Sequence, residues 1–190
     1  MKIIYTKDKE FKTEFENILK RAKSDIKGVS KIVENIIDEI VEDGNEALKR
    51  HIEKFDKWIV KSDDELLISQ DSMKKAYETL DESLKKSLHI AYERIKAYHE
   101  KQLPKSWIDF EENGSILGQK VTAVDRAGLY IPGGKAAYPS SLLMNAIPAK
   151  VAGVKEIVVC TQTPNNEVNE LLLAACHLCG VSEVYKVEGA

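Results

Sequence analysis

The sequence predicts an α/β fold: a mainly helical N-terminal segment with a short β-hairpin over residues 1–125, then part of a Rossmann-like parallel sheet with helices over 126–190, an incomplete βαβαβ unit. Three observations carry that prediction. Up to about Tyr98, apolar residues recur at three- and four-residue steps, as one face of an amphipathic helix requires. From Ala127 onward charge becomes sparse, and apolar runs at Leu129–Ile131, Glu156–Thr161 and Glu183–Val187 alternate with helical stretches. Runs in that order pair in parallel through right-handed crossovers. Finally, Arg126 to Gly153 joins an apolar run to Pro132-Gly133-Gly134 and then to an apolar segment opened by Pro139-Ser140-Ser141. That is a strand, a glycine loop and a helix.

Met1 to Tyr5 is read as a short extended segment. Phe11, Phe15, Ile18, Leu19 and Ala22 then mark a helix over Lys9 to Ala22. Val29, Ile32, Val33, Ile36, Ile37, Ile40 and Val41 line the next, which Gly44 ends. A third helix runs from Asn45, as N-cap, to about Trp58, and all three are expected to act as packing elements. Leu66-Leu67-Ile68 is a candidate strand within a connector. Ser69 precedes a helix carrying Met73, Ala76, Tyr77 and Leu80, and Asp81 caps a long successor that Pro104 stops. Two extended runs, Trp107 to Phe110 and Ile116 to Val124, turn about Asn113-Gly114. The remaining elements are a helix over Ser140 to Val151, a strand over Glu156 to Thr161, a helix over Asn166 to Cys179 and a strand over Glu183 to Val187. Together they form half of a doubly wound sheet. Its last strand is expected to lack a covering helix and to expose its edge, so that the chain reads as cut off.

Composition narrows the function. A length of 190 residues suffices for a core without staples. Hydrophobic residues at 43% and charged residues at 31% exclude disorder, and a net charge of -3 offers no footprint for nucleic acid. With no membrane-length apolar run and no secretory signal at MKIIYTKDKEF, the expected compartment is the cytoplasm. Cys160, Cys176 and Cys179 are an odd set, which argues for reduced thiols.

The motifs are weighed against plainer readings. Gly133-Gly134 at a strand's carboxyl end sits where open α/β sheets bind ligands, but neither G-x-G-x-x-G nor the phosphate-loop pattern is complete, and a tight turn explains the glycines equally well. Tyr130 can stack on a ring, although its strand position favours the core. Ser140-Ser141 is read first as a helix cap, and Pro148 is expected to bend that helix. Cys176-His177-Leu178-Cys179 has no second ligand pair, so buried packing is preferred to zinc. His99-Glu100 fails as a zinc-protease motif because the second histidine falls at Leu103. His51 and His89, among charged neighbours, are expected at the surface.

One resemblance goes further. The run from Gly128 to Gly134, GLYIPGG, followed by Ala137-Tyr-Pro-Ser-Ser141 and by Leu143 to Gly153, closely resembles the signature region of histidinol dehydrogenases. Asn45-Glu-Ala-Leu48, Lys54-Phe-Asp56, Tyr98-His-Glu-Lys-Gln102 and Val184-Tyr-Lys-Val187 agree with it. The resemblance implies the N-terminal portion of an NAD-dependent, zinc-requiring enzyme that oxidises L-histidinol to L-histidine through the aldehyde, as a homodimer with interlocked subunits. The metal would hold the substrate's imidazole and amino group while a Glu-His pair supplies base catalysis. Because the family places its zinc ligands and that pair in its C-terminal portion, no catalytic and no metal-binding residue is expected here, and the chain alone is expected to be inactive. Tyr130 maps onto a cofactor contact, with Pro132, Gly133 and Gly134 as weaker candidates. The family's next contact is a glutamine directly after Gly-Gly-Ala. Here Glu188 stands in place of the first of those glycines, and the glutamine would follow Ala190.

Overall fold

The computed structural model describes residues 3–24, 26–133 and 138–187. These fall into two compact units that part between Leu48 and Lys49, so the change of character at Arg126 lies inside the second unit. The extended segment read at Met1 to Tyr5 is described only from Ile3, which is coil.

The first unit holds α1 (Phe11–Ser24), α2 (Ile26–Asp43) and the opening turn of α3 (Asn45–Asp56). Their periodicity is as expected, but their apolar stripes are incompletely covered. On α2, Ile36 is buried while Val29, Ile32, Ile37 and Val41 are exposed. Asn45, expected to cap α3, is instead its first helical residue. The cap position is Gly44, whose carbonyl accepts from the Leu48 amide at 3.2 Å.

In the second unit a short 3₁₀ turn, Asp63–Leu66, leads to β1 (Leu67–Ile68), then α4 (Gln70–Thr79) and α5 (Glu82–Glu100). Both expected caps are in place. The Ser69 hydroxyl accepts from the Ser72 amide, and the Asp81 carboxylate accepts from the amides of Ser83 and Leu84. The antiparallel hairpin of β2 (Trp107–Phe110) and β3 (Ile116–Gln119) forms its own two-stranded sheet. The α/β part follows as β4 (Arg126–Ile131), α6 (Pro139–Ala152), β5 (Glu156–Thr161), α7 (Glu170–Cys179) and β6 (Glu183–Lys186).

Two helix starts differ from expectation. α6 begins at Pro139, whose fixed φ suits a first turn, so Ser140 and Ser141 lie inside that turn; the cap position is Tyr138, with no side-chain cap bond. α7 begins at Glu170 rather than Asn166, because residues 164–166 form a 3₁₀ turn with Asn165 and Asn166 at φ of 56° and 63°. Asn169 then caps α7 through the amides of Leu171 and Leu172. Left-handed Gly153 and Gly180 end the two helices.

The main sheet has the order β1-β6-β5-β4, parallel among the last three and antiparallel between β1 and β6. This corrects the expectation of an exposed terminal strand. β6 is an interior strand, because Leu67 and Ile68 pair with Tyr185 and Val184 on its far side. One face of the sheet carries Ile68, Val184, Ile157, Val159 and Ile131, all buried in a single core with Met73 of α4, Leu142 and Ile147 of α6, and Leu172 and Cys176 of α7. Leu88 of α5 joins that core. On the opposite face, Leu67, Tyr185, Cys160 and Tyr130 stand in register as one row across the four strands.

Candidate functional site

The three parallel strands finish in register, with Ile131 opposite Thr161 and Thr161 opposite Lys186. Such carboxyl ends are where open α/β sheets receive ligands. From β4 the chain runs into Pro132, which is exposed, and Gly133, which is half-buried. Gly134 lies outside the described residues.

Tyr130 is 46% exposed, which overturns the core position favoured by its place in a strand. The reason is parity. Leu129 and Ile131 point toward the helices, so Tyr130 between them must face the other way. Its ring is available for stacking on a flat ligand.

Gly133 meets a different constraint, one of space. A Cβ built there would stand 2.2 Å from the backbone carbonyl oxygen of Gln162, so only glycine permits the approach of the two strand-end loops. Immediately beyond, the Thr163 amide donates to Asp56 Oδ2 at 3.0 Å, with Thr163 fully buried and Asp56 only 2% exposed. Lys186 completes the edge: Nζ donates to Asn166 Oδ1 at 2.8 Å and lies 4.7 Å above the Trp58 ring. Burial holds this ammonium below the ordinary lysine range, while Glu65 pulls it the other way. Sequence reasoning quoted Asp56, Gln162 and Thr163 in no site role. Apart from the family fragment containing Asp56, no local signal marks them, because the contact spans 107 positions.

The other candidates resolve variously. Cys176 and Cys179 are buried in the core, as packing requires; desolvation pushes both thiols up, that of Cys179 to about 12 even with Lys150 lowering it. Cys160, on the opposite face, is half-buried and also raised by desolvation. His51, expected at the surface, is buried at 9% exposure. It follows the fully buried Ala47 by one helical step of four and stacks on Phe55 at 6.0 Å. His89 is exposed, with Nε2 2.7 Å from the Tyr77 hydroxyl. Among the described residues no group of three or more His, Cys, Asp or Glu side chains is placed to hold a metal ion. Nor, among them, is any helix long and apolar enough to cross a membrane.

These features define an α/β protein with a ligand-accessible sheet edge built from an exposed tyrosine and a glycine loop. A sequence model of the family described as histidinol dehydrogenase matches residues 19–190. The chain belongs to the histidinol dehydrogenase family. It is 68% identical over 185 residues to the histidinol dehydrogenase of Sulfurimonas denitrificans, covering 97% of this chain and 43% of that protein. With the Helicobacter hepaticus histidinol dehydrogenase it shares 60% identity over 190 residues, covering 100% and 44%. The crystal structure of histidinol dehydrogenase from Elizabethkingia anophelis superposes with a TM-score of 0.77 at 28% identity, covering 85% of this chain and 37% of that one. The chain thus spans well under half the length of the curated relatives it matches.

Proposed function

We propose that this chain supplies the NAD-facing wall of a histidinol dehydrogenase, an enzyme converting L-histidinol to L-histidine at the end of histidine biosynthesis, and that residues 126–190 are its partial NAD-binding domain. The observation that carries this reading is Tyr130, half-exposed at the end of β4 beside Pro132 and the sterically obligate Gly133. The residues present fit the cofactor's edge: an aromatic face for a planar ring, a close backbone approach, and the Lys186 cation beside it. NAD, when bound, accepts hydride from the substrate. The chain's own part is to hold and orient that cofactor, with Tyr130 stacking on it and Gly133 keeping the loop close.

Zinc does not fit what is here, since no cluster of three ligands exists among the described residues. No step through the metal is therefore assigned to this chain, and alone it is proposed to be inactive, in the cytoplasm. Two measurements test the reading together. NAD titration should show binding by the chain that Tyr130→Ala weakens by about tenfold, a stacking contribution of about 1 kcal/mol, with an unchanged urea midpoint because the ring is not in the core. L-histidinol, NAD and zinc added to the chain should produce no NADH absorbance. Equal affinity of the variant refutes the Tyr130 role, and turnover refutes inactivity.

A second reading, a non-catalytic dimerisation fragment, is favoured by one observation. Trp107, Ile108, Phe110, Ile116 and Leu117 of the hairpin are all more than half exposed, an apolar surface of the kind that seeks a partner chain.

A further inference from the structure

We propose that Asp56 is the positioning residue for the Tyr130–Gly133 edge. Its buried carboxylate anchors the loop after β5, and that loop fixes where Gly133, and with it Pro132 and Tyr130, can sit. The consequence for cofactor affinity rests on the NAD reading above; the positioning itself does not.

Three contacts form the chain of constraint. Asp56, the last residue of α3, is 2% exposed and accepts the Thr163 amide at 3.0 Å. A carboxylate accepting a buried amide makes a charge-assisted bond, and removing it strands the amide without water. Thr163 is held on its other side as well: its carbonyl accepts from the Asn166 amide at 2.8 Å, closing the turn that carries the left-handed Asn165 and Asn166. Among the described residues the Thr163 hydroxyl has no hydrogen-bond partner, so its backbone groups carry the tie. Next to this anchored residue, the Gln162 carbonyl oxygen stands where any Cβ on Gly133 would fall. A loop pinned at Thr163 therefore acts as a stop for the glycine loop. Lys57, directly after Asp56, has φ of 61°, a conformation that costs energy in a non-glycine residue. The chain accepts that local strain at the point where it delivers the carboxylate.

Backbone amide exchange by NMR and NAD titration, on the wild-type chain and on Asp56→Ala, Asp56→Asn and Gly133→Ala, test the proposal. Asp56→Ala should speed exchange at Thr163 and Gly133 by about tenfold, as loss of one such bond implies, and leave amides inside α7 unchanged. Asp56→Asn keeps an acceptor oxygen and should restore most of the protection. A folded Asp56→Ala with wild-type exchange at Thr163 and Gly133 overturns the proposal, as does an Asn variant no better than Ala. Should Asp56→Ala fail to fold, the scalar coupling across the hydrogen bond from the Thr163 amide nitrogen to the Asp56 carboxyl carbon decides in the wild type. Gly133→Ala decides with it, because displacing Gln162 should also speed Thr163 exchange; absence of either effect overturns the proposal. If the wild type binds no NAD, the functional reading falls while the exchange pattern still judges Asp56. If NAD binds and Asp56→Ala binds it equally, the positioning role falls.

Discussion

Tyr130 and Asp56 show how a residue's role is divided between its own chemistry and its setting. Tyr130 was legible as a stacking group from its type and motif, yet its exposure follows from which way β4 pleats against α6. Asp56 carried no local signal, since its partner Thr163 is 107 positions away. Asp81 lies at the opposite extreme, a cap readable from three or four neighbouring letters. Its carboxyl is held below 3.8, first by the Ser83 hydroxyl and then by the amides of Ser83 and Leu84. A folded-state value below the unfolded one adds stability that is present above the unfolded value and lost as pH falls through the lowered one. Asp81→Ala should therefore lower the urea midpoint at neutral pH, and the gap from wild type should close as acid takes the pH well below 3.8. A gap that persists in strong acid would show that the cap does not act through its charge.

At the scale of elements, periodicity located every helix among the described residues, and the errors fall at ends where turn chemistry competes. The two left-handed asparagines delay α7, and Pro139 advances α6 past its serines. The hairpin was visible from Asn113-Gly114 between two apolar runs, but one of its constraints was not. A Cβ on Gly118 would stand 2.6 Å from the Trp107 carbonyl oxygen across the strand pair. Gly118→Ala should therefore splay β2 from β3 at the Ile108–Gly118 pair, changing the fluorescence of Trp107, while the exchange-protected amides of β5 and α7 remain as in wild type. If the alanine variant retains native Trp107 emission and hairpin protection, the hairpin accommodates the side chain and the clash carries no cost.

For the whole molecule, the question is what the apolar surface is for. α1, α2 and the hairpin expose residues such as Leu19, Val41, Ile108 and Phe110, and the row at Tyr130 and Leu67 adds a partly open sheet face. Surfaces of this kind favour association. Sedimentation should show a concentration-dependent shift toward dimer, with an apolar dye bound at low concentration and released at high; a monomer throughout with no dye bound would remove the motive for the dimerisation reading. The sequence by itself determined the family, the helices, the alternation of strand and helix after Arg126 and the glycine loop, because each is written in neighbouring residues a few positions apart. Only the tertiary structure decided that β1 crosses the chain to make β6 an interior strand, that His51 is buried, that Tyr130 faces outward, and that Asp56 meets Thr163 beside Gly133. Those facts depend on pairings between residues far apart in the chain, and no local pattern of propensity or period encodes which distant partner a residue will find.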